Sequence, residues 1–184
     1  MQGTMKKAVI TGKQQAKLVE MAIPQPVDDW ALVEMKVIPM CTEYKAWLNG
    51  PGERGVIPAL GHEGVGEVVE VAHPCGVEVG DRVVLMGAGP CGRCAYCRAG
   101  WFLQCATPSH KAHIPGRASA AGAPEPTGAY AQYRLGAAWL LPKIPGDLSW
   151  EHASLAWCGL GPTFGAAQTL GLSALDTVLI TGAG

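Results

Sequence analysis

The stretch Cys91-Gly92-Arg93-Cys94-Ala95-Tyr96-Cys97, followed by Cys105, places four thiols within fifteen residues. Four thiolates at about 2.3 Å from one Zn²⁺ make a closed tetrahedral shell with no position left for water or substrate. The first three cysteines also share the Cys-x2-Cys-x2-Cys spacing of ferredoxins, so an iron–sulfur cluster is the alternative. The fourth cysteine comes eight positions later and lacks the trailing proline of that pattern. We therefore predict a structural zinc lobe over residues 89–106.

The overall composition narrows the class of protein. The chain of 184 residues is 48% hydrophobic with a formal net charge of −1, so it can bury a core. That charge gives no electrostatic reason to expect nucleic acid or an anionic membrane as a partner. Seven cysteines, with no apolar stretch behind the N-terminal lysines, favour metal binding in a reducing compartment over disulfides. We therefore expect a cytoplasmic protein.

Short apolar runs separated by turn residues indicate a mainly β chain. Residues 30–38 alternate apolar and charged side chains, which is the period of a half-buried strand. Further strands are expected at residues 7–10, 17–23, 64–71, 82–86, 130–135 and 139–141. Strands this short, in a chain with 25 glycines and 14 prolines, suggest an antiparallel barrel or sandwich.

The pattern changes after Pro145, where helices are expected. Ser149 is suited to cap a helix that begins at Trp150, and Pro162 suits the first turn of a second helix. Residues 153–175 carry no charge and are long enough to cross a membrane. Glycines and a proline interrupt them, so a buried, glycine-rich helical segment is the favoured interpretation.

A second motif, Gly61-His62-Glu63-Gly64-Val65-Gly66, precedes a predicted strand. It resembles the Gly-His-Glu motif of the medium-chain dehydrogenase/reductase family, whose zinc members include the alcohol dehydrogenases. The resemblance covers essentially the whole chain. For residues 1–150 it implies a GroES-like catalytic domain, an antiparallel β-barrel with few short helices. Residues 151–184 would then be a helical connection and the start of a truncated dinucleotide-binding domain of the Rossmann type.

The resemblance also implies a catalytic zinc centre. Cys41 lies where the family places its first zinc cysteine, His62 is the motif histidine, and Cys158 lies in the segment that resembles the one carrying the third ligand. Glu63 or a water molecule would take the fourth position, and Glu63 is also a candidate catalytic residue. Taken alone, a cysteine such as Cys158 is more often a small buried hydrophobe than a metal ligand, and the alternative for His62 is an ordinary turn histidine.

The chain departs from the family pattern directly after Cys41. The family usually has one variable residue, then Ser or Thr, then Asp, whereas here Thr42 follows at once and Glu43 comes next. Thr42 is the candidate for the hydroxyl that takes the substrate proton, with a helix N-cap as its alternative role. For Lys45 a solvated side chain is the favoured interpretation, and the alternative is that it replaces the histidine that often ends the family's proton relay.

The cofactor half of the family's enzymes is represented by a short stretch only. Residues 177–180 resemble the first strand of the dinucleotide-binding domain, and Gly182 and Gly184 resemble the opening of its glycine-rich turn. Together with Thr163, these glycines are the candidate cofactor-binding residues. The third glycine and the acidic residue about twenty positions later, which separates NAD from NADP, do not follow. We therefore interpret the chain as a fragment that binds zinc but does not oxidise alcohol with NAD by itself.

The resemblance thus implies the catalytic domain of a zinc-dependent alcohol dehydrogenase-type enzyme that transfers hydride between an alcohol or carbonyl compound and NAD or NADP. The whole enzyme would be a homodimer or homotetramer acting on a small molecule. The alternatives are a non-catalytic, zinc-stabilised GroES-like binding domain and a family enzyme that keeps only structural zinc. Metal content separates them, because the first requires about two zinc ions per chain and the others about one.

Overall fold

The computed structural model describes residues 2–27, 29–57, 60–86, 94–106 and 128–182. Its strands are β1 (Thr4–Gly12), β2 (Gln15–Ala22), β3 (Trp30–Val37), β4 (Glu63–Val71), β5 (Arg82–Met86) and β6 (Tyr133–Ala137). Its α-helices are α1 (Glu43–Asn49), α2 (Ala95–Arg98), α3 (Trp150–Ser154) and α4 (Gly161–Leu170). Short 3-10 turns lie at Gly52–Arg54, Phe102–Gln104 and Ala138–Leu140. The predicted mainly β class with few short helices is confirmed.

The strands pair into two antiparallel sheets. One sheet has four strands in the order β5-β4-β3-β6, and the other is the β1-β2 hairpin. Isolated bridges between Lys7 and Ala131 and between Ile10 and Ile57 attach the hairpin to the rest of the chain. Among the described residues the two sheets are not closed into one continuous barrel.

The central strand, β3, is buried on both faces over its first half. Val33 and Leu32 have no exposed surface although neighbouring side chains of a strand point to opposite faces. One face belongs to a cluster made of Ala31, Val33, Val68, Val77, Val83, Leu85, Ala138 and Leu141. The other belongs to a cluster made of Met5, Ile23, Leu32 and Leu135. The predicted alternation therefore holds only near Lys36, because β1 covers the second face of the earlier residues.

Two predicted strands differ from the observed structure. The prediction for residues 139–141 is wrong, since Ala138–Leu140 forms a 3-10 turn. Pairing between β6 and β3 ends where Trp30 meets Ala137, so the residues that follow have no partner strand left on β3. The run at residues 177–180 likewise carries no strand hydrogen bonds to any described residue.

The two predicted helix starts are confirmed. The Ser149 hydroxyl caps α3 by accepting from the His152 amide at 3.2 Å, and Pro162 lies in the first turn of α4. The predicted burial holds only at the start of the segment, where Ala153 and Ser154 are buried, whereas α4 has no buried residue and Phe164 is 64% exposed. Among the described elements none packs over α4 enough to cover it. None of the described helices combines the length and the apolarity that a membrane crossing requires.

Candidate metal centre

Four potential ligand side chains converge at one end of the four-stranded sheet. The ligand atoms of Cys41, His62, Glu63 and Cys158 all lie within 4.8 Å of one another. His62 Nε2 is 3.1 Å from Cys158 Sγ and 3.6 Å from Glu63 Oε1. Zinc bonds of about 2.0–2.3 Å in a tetrahedron put neighbouring ligand atoms about 3.5 Å apart. Both the donor set and the spacing therefore fit a zinc ion.

The four residues come from three separate parts of the chain. Cys41 lies in the loop between β3 and α1, whereas His62 directly precedes β4 and Glu63 is its first residue. Cys158 lies in the turn between α3 and α4. Antiparallel pairing of β3 with β4 brings the first two parts together. The third is brought in by α3, whose buried Ala153 packs against β4.

One arginine, Arg82, helps to hold the chain before α3 against the sheet. Arg82 donates hydrogen bonds to the carbonyl oxygens of Pro145, Gly146 and Leu148 at 3.3, 3.0 and 2.6 Å. Its guanidinium also lies 4.2 Å from the centroid of the Trp150 ring, within the range of a cation–π interaction. These contacts hold the chain that leads into α3, and therefore constrain the turn that carries the third cysteine.

Glu43 connects two of the candidate ligands. Its Oε1 lies 2.6 Å from His62 Nδ1, and its Oε2 accepts a hydrogen bond from the Cys41 amide at 3.0 Å. An ionised carboxylate only accepts hydrogen bonds, so the His62 proton belongs on Nδ1 and Nε2 presents a lone pair. Burial alone would raise the pKa of Glu43, but hydrogen bonds from its own amide, His62 and Cys41 outweigh burial and lower it.

This role of Glu43 was not assigned from the sequence. The signal was the displaced acidic residue after Cys41, where one residue of the family pattern is missing. A glutamate side chain is one methylene longer than an aspartate, which extends the reach of the carboxylate. The carboxylate consequently reaches the histidine from a position one residue nearer the cysteine.

Replacing Glu43 by glutamine is expected to weaken zinc binding at this centre about 10- to 100-fold, the usual effect of losing the partner of a ligating histidine. The amide has only one acceptor oxygen and no charge, so it cannot serve both His62 and Cys41. Competition with a chromogenic chelator measures the affinity. Glu53→Gln, which changes an exposed carboxylate in a 3-10 turn, is the matched control. Equal affinities of Glu43→Gln and the unmodified chain would contradict the orienting role.

Glu63 is buried, with 2% of its surface exposed, and has two contacts within the centre. Its Oε2 accepts a hydrogen bond from the Cys158 amide at 2.9 Å. Its Oε1 faces His62 Nε2 on the ligand side. The same carboxylate therefore holds the Cys158 turn in place and offers an oxygen to a metal ion.

The protonation of Cys158 depends on whether a cation is bound at the centre. Burial, followed by the negative charges of Glu63 and Cys41, raises the pKa of Cys158 to about 11. Without a compensating positive charge this thiol is therefore protonated at neutral pH. A divalent ion reverses that balance, because thiols ligate as thiolates and release their protons on binding.

The proposed relay residues lie on the exposed side of the centre. Thr42 stands at the N-cap position of α1 but makes no side-chain cap hydrogen bond, so the alternative role as a cap is not supported. Its side chain is exposed, as is that of Lys45, whose Nζ lies 5.9 Å from the centroid of the Tyr44 ring. The described contacts connect neither residue to a candidate metal ligand.

No described hydrogen bond joins Thr163 or Gly182 to a candidate metal ligand. Thr163 is exposed in the first turn of α4, and Gly182 is exposed with a φ of 73°. Gly184 lies outside the described residues. No described contact brings Thr163 and Gly182 together.

Three cysteines of the predicted zinc lobe also converge. The sulfur atoms of Cys94, Cys97 and Cys105 lie within 4.8 Å of one another, with 3.5 Å between the first two. Cys94 precedes α2, Cys97 is buried within it, and Cys105 follows the 3-10 turn at Phe102–Gln104. Cys91, the predicted fourth ligand, lies outside the described residues.

One further side chain near the centre carried no sequence signal. Tyr130 donates its phenolic hydrogen bond to the Pro39 carbonyl at 3.3 Å. Burial, followed by the negative charges of Glu43, Glu63 and Cys41, raises the pKa of Tyr130 to about 12. The phenol therefore remains a hydrogen-bond donor at neutral pH.

The fold and the centre define a GroES-like domain of the alcohol dehydrogenase type. Residues 27–146 match the alcohol dehydrogenase GroES-like domain family, and the chain belongs to that family. The chain is 28% identical over 193 residues to the uncharacterized zinc-type alcohol dehydrogenase-like protein YphC of Escherichia coli K12, covering 98% of this chain and 52% of that protein.

Two other relatives show the range of proteins that share this domain. The erythritol/L-threitol dehydrogenase of Mycolicibacterium smegmatis is 31% identical over 199 residues, covering 98% of this chain and 51% of that protein. The crystal structure of AibC superimposes with a TM-score of 0.77 at 32% identity, covering all of this chain and 50% of that one. The chain spans about half the length of the curated relatives it matches.

Proposed function

We propose that this chain is the catalytic domain of a zinc-dependent alcohol dehydrogenase-type oxidoreductase, which transfers hydride between a small alcohol or carbonyl compound and NAD or NADP. The observation that carries the proposal is the convergence of Cys41, His62, Glu63 and Cys158 within 4.8 Å in a domain of this family. The dehydrogenase name of the Mycolicibacterium smegmatis relative supports the reaction class.

In this proposal Cys41, His62 and Cys158 would hold a zinc ion, and that ion would act as a Lewis acid toward the substrate oxygen. Two thiolates and one neutral imidazole balance the charge of the ion. Glu43 fixes the orientation of His62, and Glu63 fixes the turn that carries Cys158. The fourth position is left for a Glu63 oxygen, water or substrate.

The proposal also assigns roles to residues outside the Cys41 centre and to Thr42 beside it. Thr42, adjacent to Cys41, is proposed to take the substrate proton through its hydroxyl, which no helix cap occupies. Thr163, Gly182 and Gly184 are proposed to contact the dinucleotide.

We further propose that residues 1–150 act as the catalytic domain and residues 151–184 as its connection to a dinucleotide-binding domain. The whole enzyme is proposed to be a homodimer or homotetramer. Cys91, Cys94, Cys97 and Cys105 are proposed to hold the structural zinc.

Metal analysis of the purified chain tests the proposal. About two zinc ions per chain are expected, one at each cluster, and Cys41→Ala is expected to remove one of them. After cobalt substitution, added imidazole is expected to change the visible spectrum of the Cys41 centre, because a catalytic site keeps an exchangeable position. Cys75→Ser changes a cysteine outside both clusters and serves as the control.

Two outcomes would contradict the proposal. A single zinc ion that survives Cys41→Ala would favour a non-catalytic domain with structural zinc only. A cobalt spectrum that does not respond to imidazole, in a chain that binds two ions, would indicate a closed centre without a substrate position.

A further inference from the structure

Tyr130 lies between two of the loops that carry candidate ligands. Its backbone follows the bridge that pairs Gly128 with Leu60 and precedes β6. Its amide donates to the Leu60 carbonyl at 3.0 Å, and its carbonyl accepts from the Ala8 amide at 2.8 Å. The main chain at Tyr130 is therefore held on both sides, independently of the side chain.

The side chain of Tyr130 reaches in two directions. Its ring packs beside Gly61, since a Cβ atom added there would lie 3.1 Å from Tyr130 Cδ1. Its hydroxyl reaches the Pro39 carbonyl at 3.3 Å. Gly61 directly precedes His62, and Pro39 lies two residues before Cys41. One rigid aromatic side chain thus spans the gap between the two ligand loops.

Few other contacts tie the Cys41 loop to the rest of the domain. Residues 38–42 belong to no strand or helix, and the helix that follows, α1, has no buried residue. Two described hydrogen bonds of this loop are those of the Cys41 amide with Glu43 and of the Pro39 carbonyl with Tyr130. The first leads through the same carboxylate to His62, and Ile38 lies beside Gly64 of β4. The hydrogen bond from Tyr130 therefore adds a link between the loop and the segment that precedes β6.

We propose that Tyr130 is a positioning residue that sets the distance between Cys41 and His62 by holding their loops through the Pro39 hydrogen bond and the Gly61 contact. The proposal rests on the proposed catalytic zinc centre. It predicts that the hydroxyl of Tyr130, without touching the metal ion, raises the affinity of that centre for metal.

The test compares Tyr130→Phe with the unmodified chain and with Tyr133→Phe. Tyr133 lies on β6 and packs in the Met5 cluster, so its variant removes a phenolic hydroxyl away from the centre. Each protein is stripped of metal and titrated with Co²⁺ against a competing chelator. The two clusters differ in thiolate number, so their sulfur-to-cobalt absorption bands differ in intensity. Apo-protein thermal unfolding is measured in parallel.

Tyr130→Phe is expected to bind cobalt about tenfold more weakly at the Cys41 centre, with a shifted d–d spectrum, because an outer hydrogen bond is lost. Affinity at the cysteine lobe and the apo-protein unfolding temperature are expected to match those of Tyr133→Phe. This selective loss is a readout that a general packing role would not produce.

The other outcomes overturn the proposal in distinguishable ways. Equal affinity of Tyr130→Phe and the unmodified chain at the Cys41 centre would overturn the role of Tyr130 and leave the proposed function standing. An unmodified chain that binds cobalt only at the lobe would overturn both. Loss of metal at both clusters together with a lower unfolding temperature would make Tyr130 a core residue without a positioning role.

Discussion

Replacing His62 by alanine is expected to lower the zinc content from about two ions per chain to about one, with the fold retained. A four-ligand zinc site gains about 10–16 kcal/mol from its metal, so one ligand is worth about 3 kcal/mol, or roughly a 100-fold change in affinity. The loss at His62 is expected to be at least that large, because Glu43 would keep its charge without the histidine it orients.

The fold is expected to survive because the His62 side chain is 36% exposed and lies outside the apolar clusters. Zinc analysis after dialysis against a chelator, together with circular dichroism, measures both effects. His73→Ala, at an exposed histidine on the turn after β4, is the matched control and is expected to keep both ions. Loss of both zinc ions in His62→Ala would show that the two clusters are not independent sites.

Replacing Gly128 by alanine is expected to cause the largest loss of stability among single substitutions near the centre. Gly128 has a φ of +67°, which costs a residue with a Cβ atom about 1–2 kcal/mol. The added Cβ would also lie 2.0 Å from the Leu60 carbonyl oxygen, so the backbone that leads to His62 must shift. We expect a total loss of about 3 kcal/mol or more, or about 6–12 °C in Tm.

Gly76→Ala separates the two causes. Gly76 also has a positive φ, +92°, but nothing lies within 4 Å of its added Cβ atom. This variant is expected to lose only the conformational part, about 1–2 kcal/mol. Thermal unfolding of the metal-free proteins provides the comparison, since zinc would otherwise mask part of the difference. Equal decreases in Tm for Gly128→Ala and Gly76→Ala would show that the contact with Leu60 contributes nothing.

The sequence predicted the strands best where the local pattern alone determines them. The bounds of β5 follow from an apolar run between turns, and the start of β3 follows from alternation. The ends of helices and strands depend on contacts with distant parts of the chain, which the local sequence pattern does not reveal. Residues 139–141 have strand-like composition but no neighbour to pair with, and α4 has the composition of a buried helix but no buried residue.

The candidate site was likewise predicted only in part from the sequence. Cys41, His62 and Cys158 could be named because they match a family motif, and the structure brings their ligand atoms together. The roles of Glu43 and Tyr130 could not be predicted from the sequence, because they depend on which groups the fold brings within hydrogen-bond distance. Glu43 works from a shifted position through its longer side chain, and Tyr130 lies 91 positions from its hydrogen-bond partner Pro39.

The two clusters of candidate ligands differ in sequence separation, and this difference predicts the order in which they form during folding. Cys94, Cys97 and Cys105 lie within twelve consecutive residues, so closing their loop costs little chain entropy before the sheet has formed. His62 and Cys158 are 96 positions apart, and their approach requires β3, β4 and α3 to be in place. High contact order of this kind slows assembly. The three cysteines are thus suited to bind a metal ion early, while the rest of the chain is still unfolded. The Cys41 centre can bind a metal ion only when the chain is nearly native.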